Sequence, residues 1–73
     1  MAHRIMKYTD ISGNIVAKVY AARESKPKKM IIRVWAKDHI LLIDEKGNAY
    51  SYTVRELVDD SSFEVRATLT NVY

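Results

Sequence analysis

Residues 30 to 37 alternate strictly. Met30, Ile32, Val34 and Ala36 fall on one face; Ile31, Arg33, Trp35 and Lys37 fall on the other. A period of two predicts a half-buried strand. The first face is the candidate core face, and the second carries cations and an indole. Asp38 and His39 interrupt the pattern as a turn, and residues 40 to 43 are then apolar on both faces, as in a strand covered on both sides. Asp44-Glu45-Lys46-Gly47-Asn48 is polar, with a glycine near its end, and predicts a hairpin loop. The return strand puts Tyr50, Tyr52 and Val54 on one face and Ala49, Ser51 and Thr53 on the other.

The same reading extends to both ends. Residues 2 to 9 form a first strand with Met6 and Tyr8 facing in and Arg4 on their side. Asp10-Ile11-Ser12-Gly13-Asn14 is a turn. Residues 15 to 25 fit either a strand or a helical stripe of Ile15, Val16, Val19, Tyr20 and Arg23; strand-like neighbours favour strand. Glu24 to Lys29 reads as a basic loop, because Pro27 lacks an N–H and restricts Lys26. Arg55 to Asp60 suits a single turn with Leu57 and Val58 tucked under the sheet, followed by the polar run Asp59-Asp60-Ser61-Ser62. Phe63, Val65, Ala67 and Leu69 then alternate with polar residues as a last strand.

The expected fold is mainly β: one domain over residues 1–73, a small antiparallel sheet or barrel of five to six short strands. The alternative is α+β, with a helix at about residues 15–25. No internal repeat or linker interrupts it.

Composition narrows the possibilities. A chain of 73 residues has a small core, and without cysteine it has no disulfide or thiolate metal site to supplement it. Oligomerisation, as in a homodimer, would help. No signal peptide stands out, and no apolar run approaches the roughly 18 residues of a membrane span. The expectation is a soluble cytoplasmic protein.

Charge adds the functional lead. Residues 1 to 37 hold nine Lys/Arg against Asp10 and Glu24, a balance of +7; residues 38 to 73 hold three against seven acids, a balance of −4. An anionic partner for the first half follows, provided that strands from the two halves do not interleave. Arg33, Trp35 and Lys37 on one strand face, with Lys26, Lys28 and Lys29 just upstream, have the makings of a phosphate grip with a stacking ring. Substitution of Trp35 and Arg33 is then expected to abolish binding. Catalytic chemistry has little support. His3 and His39 lack ligand spacing, the acid pairs lie in loops, and no phosphate-cradling or nucleophile motif occurs. The expectation is a non-enzyme without cofactor or metal.

His39-Ile40-Leu41-Leu42-Ile43, then Lys46-Gly47-Asn48-Ala49-Tyr50 and Val54-Arg55-Glu56-Leu57, resembles one blade segment of the C-terminal β-pinwheel of the bacterial type II topoisomerase A subunit. The resemblance covers residues 39–57 and implies DNA wrapping on a basic rim. The basic, glycine-rich box of that family has no counterpart here. Nucleic-acid binding is the leading expectation. The rival is a protein-interaction or inhibitor domain of phage or mobile-element type, using exposed apolar faces and free strand edges.

Overall fold

In the computed structural model, which describes residues 2–20, 26–58 and 63–73, the chain is an all-β closed barrel. Its strands are β1 (Ala2–Thr9), β2 (Ile15–Tyr20), β3 (Lys28–Trp35), β4 (His39–Ile43), β5 (Ala49–Leu57) and β6 (Glu64–Val72). Each strand pairs antiparallel with the next, and β1 pairs with β6 to close the ring. The strand alternative for residues 15–20 holds. Residues 21–25, where the helical alternative and the basic loop overlap, and the polar run at 59–62 lie outside the described residues.

The core is assembled from every strand: Ile5, Ala17 and Val19, Met30, Ile40 and Leu42, Tyr52, Val65 and Ala67. Small residues sit beside large ones. Ala17 is level with Met30, and Ala67 is level with Val54, so small and large side chains alternate across the narrow interior. Facing residues pair across strands, so Ile5 meets Val19 on one side and Val65 on the other.

That register corrects the first strand. Ile5 is fully buried, whereas Met6 and Tyr8 lie on the outer face with Arg4. A one-residue change of phase reverses every side chain of a strand, and the apolar partners of Ile5 decide the phase here. The expected turn at residues 55 to 58 is also absent. β5 runs on to Leu57, and Leu57 and Val58 are exposed rather than tucked in.

Both predicted hairpin loops form. Gly13 and Gly47 adopt φ of 86° and 87°, a left-handed region where a side chain is strained.

Candidate nucleic-acid interface

A meander keeps sequence neighbours together in space. Strands β1 to β3 form one continuous half of the wall and β4 to β6 the other. Counted over the described residues alone, the first half (to Lys37) carries eight Lys/Arg against Asp10, a balance of +7, and the second carries three against five acids, a balance of −2, so the two halves of unlike charge are two sides of one barrel. Interleaving, which would have mixed them, does not occur.

The outer face of the basic half is built from alternate residues. Arg4 is level with Tyr20 and with Arg66 of β6; Met6 is level with Lys18, and Lys18 with Lys29. The next row is apolar: Tyr8, Val16, Ile31 and Ile43. Val16 is buried in that row although it stands outside the central core. Several cations are already engaged. Arg4 Nε lies 3.5 Å from Glu64, Lys29 Nζ 3.3 Å from Asp10, and Arg66 3.2 Å from Glu56. The three cations are at least half exposed, and surface pairs of this kind contribute little stability. Lys26, Lys28, Arg33 and Lys37 are exposed, and among the described residues none of the four has an ion-pair partner.

The predicted grip is only partly assembled. β3 carries a bulge between Ile32 and Val34. Ile32 is level with the buried Leu42, Val34 with Leu41, and Trp35 with the buried Ile40. Arg33 is the extra residue. A bulge inserts one position and resets the alternation beyond it. Trp35 consequently turns inward and packs against the core, while Val34 faces out, 40% exposed. Arg33 and Trp35 do not share a face, and Lys37 lies in the turn after the strand. The ring of Trp35 instead stands 5.2 Å from the Lys7 ammonium, which is also 5.1 Å from the Phe63 ring. Alternation of Ile-Ile-Arg-Val-Trp reads equally well with or without the bulge, so nothing in the local pattern signals it.

Two residues outside the predicted set belong to this surface. Lys18 lies 4.5 Å from the Tyr8 ring centroid, and Arg4 lies 4.4 Å from that of Tyr20. The signal for Lys18 was its place among alternating apolar residues in a +7 segment.

His39 Nε2 and Ser51 Oγ hydrogen-bond at 2.7 Å on the outer face. His3 is held in β1, its ring edge-on to Tyr52 at 5.9 Å, with Nδ1 buried and without a hydrogen-bond partner among the described residues. Burial, with the nearby Tyr50, pushes the Tyr52 hydroxyl up to about 12. Among the described residues no group of three or more His, Cys, Asp or Glu could hold a metal ion, and no helix is long and apolar enough to cross a membrane. No known family model, curated protein or solved structure matches the chain.

Proposed function

We propose that this barrel is a non-enzymatic cytoplasmic module that binds nucleic acid on its basic half. One observation carries the reading: among the described residues the charge split, +7 against −2, falls between two continuous halves of the wall. A surface of one sign attracts a polyanion and releases its counterions on contact. Arg33, Lys37 and the Lys26, Lys28 and Lys29 group are the predicted contacts, with Lys18 added from the neighbouring strand. Trp35 supports the core from inside rather than stacking on a base.

Fluorescence anisotropy with a labelled oligonucleotide tests this. Arg33→Glu with Lys18→Glu lowers affinity sharply at low salt, and each lost phosphate contact reduces the salt slope by about 1. Trp35→Phe leaves affinity in place. Unaltered affinity in the double variant, with its fold verified by circular dichroism, overturns the reading.

The rival, a protein-binding domain, is supported by Ile11, Ile15 and Phe63, all exposed beyond half. Its route through free strand edges has no support among the described residues, whose six strands close into a barrel.

A further inference from the structure

We propose that the basic half grips the phosphate backbone of a duplex, without stacking bases and without regard to sequence. This rests on the nucleic-acid reading above and names the class of partner.

The rings of the chain offer a base little to stack on. The chain has five tyrosines, one tryptophan and one phenylalanine. Trp35 and Tyr52 pack in or against the core, and the Tyr50 hydroxyl is tied at 2.8 Å to Asp44 at the barrel end. Phe63 stands beside the Lys7 ammonium. Tyr73 is exposed, but its N–H bonds to the Ala49 carbonyl, so it belongs to the acidic half. Phe63, 53% exposed, adjoins the basic half under the Lys7 ammonium; on the outer face of the half stand Tyr8 and Tyr20. Each of these tyrosines is half-buried, and each has a cation within 4.5 Å of its ring centroid. A base would have to displace Lys18 or Arg4 to stack there, and Lys7 to stack on Phe63.

What the face offers is therefore point charge on a convex wall. Proteins that hold single strands add stacking, which strengthens binding roughly five- to hundred-fold per base. Without it, the advantage passes to the ligand with the denser and more rigid charge. A duplex carries about one phosphate per 1.7 Å of axis and needs no ordering. Phosphate contacts alone carry no sequence information.

The test is competition binding of the full chain to four probes of equal length: duplex DNA, duplex RNA, single-stranded DNA, and the same single strand made abasic. The expected result is tighter binding of a duplex than of the single strand, by about ten-fold at low salt. The abasic strand then matches its base-bearing parent within about two-fold, and Trp35 emission does not change. A preference between the DNA and RNA duplexes names the source and supports the backbone grip equally. Tighter binding of the single strand, with a loss of five-fold or more on removing bases, overturns the inference and leaves nucleic-acid binding intact. Failure to bind any probe overturns both.

Discussion

Two hairpins in this barrel share one loop and put it to opposite uses. The loop at residues 10–14 and the loop at 44–48 both read Asp-x-x-Gly-Asn. In each, the aspartate Oδ1 accepts from two backbone N–H groups at 2.9 Å, Ser12 and Asn14 in one and Lys46 and Asn48 in the other. In each, the glycine N–H donates to the aspartate carbonyl, at 3.0 and 3.1 Å. The flanking strands nevertheless have opposite phase. Two positions before the aspartate stands Tyr8 on the outer face in the first hairpin, and Leu42, fully buried, in the second. The second carboxylate oxygen follows suit: in the first it reaches Lys29 outside at 3.3 Å, and in the second it takes the Tyr50 hydroxyl at the barrel end. Loop chemistry specifies a tight reversal; the strand pattern specifies which side of the wall it serves.

The largest effect separates the strands. Leu42→Ala is expected to cost about 2–5 kcal/mol, because it empties part of a packed core. A domain of this size has roughly 4–11 kcal/mol in total. Tyr8→Ala, at the matching place in the other hairpin, costs clearly less, since no core cavity results. Urea unfolding of both variants measures the gap, and equal losses would break the comparison.

A smaller effect should be shared. Gly13→Ala and Gly47→Ala each force a side chain into the left-handed region, at a cost of about 1–2 kcal/mol. Open space surrounds both positions, so the cost is backbone strain alone and should be alike in the two hairpins. Thermal melts of the pair give the answer.

The subtlest difference lies in the carboxylates. Burial pushes the Asp44 carboxyl up, but the Tyr50 hydroxyl and the Asn48 and Lys46 donors outweigh it, leaving it at about 2. Asp10 is lowered too, chiefly by the Asn14 N–H, with Lys29 and Ser12 assisting against some desolvation. A carboxyl lowered on folding stabilises above its unfolded value and loses that contribution as pH falls through the folded one. For Asp44 the window runs from 3.8 down to about 2. Tyr50→Phe removes one donor, so the Asp44 carboxyl rises and the window narrows, while Asp10 titrates as before. Carbon-detected NMR titration of the two side chains follows both.

The strands and loops were legible because alternation and turn chemistry are local. Gly47 and Asn48 announce their loop, and Val65, Ala67 and Leu69 announce β6. The repeated Asp-x-x-Gly-Asn was also in plain sight, although its flanks differ so much that no repeat stands out around it. Two things were not local. The phase of β1 depends on Val19 and Val65, which lie far from Ile5 in sequence. The bulge at Arg33 depends on β4 offering Ile40 and Leu42 to the interior. The basic side of the candidate site was legible in charge, while its supposed stacking ring was not, because that ring lies beyond the bulge.

Closure between β1 and β6 has a kinetic consequence. Every other strand pair joins neighbours through a connection of a few residues, and isolated hairpins form in about 1–10 μs. Bringing Ile5 against Val65 closes nearly the whole chain, and loop-closure entropy must be met before that contact returns anything. Pairing within the hairpins is therefore expected to precede the β1–β6 seam. In that order β1 and β6 each keep an unpaired edge until the seam forms, and slower sealing is expected to leave more of the chain open to pairing with another molecule.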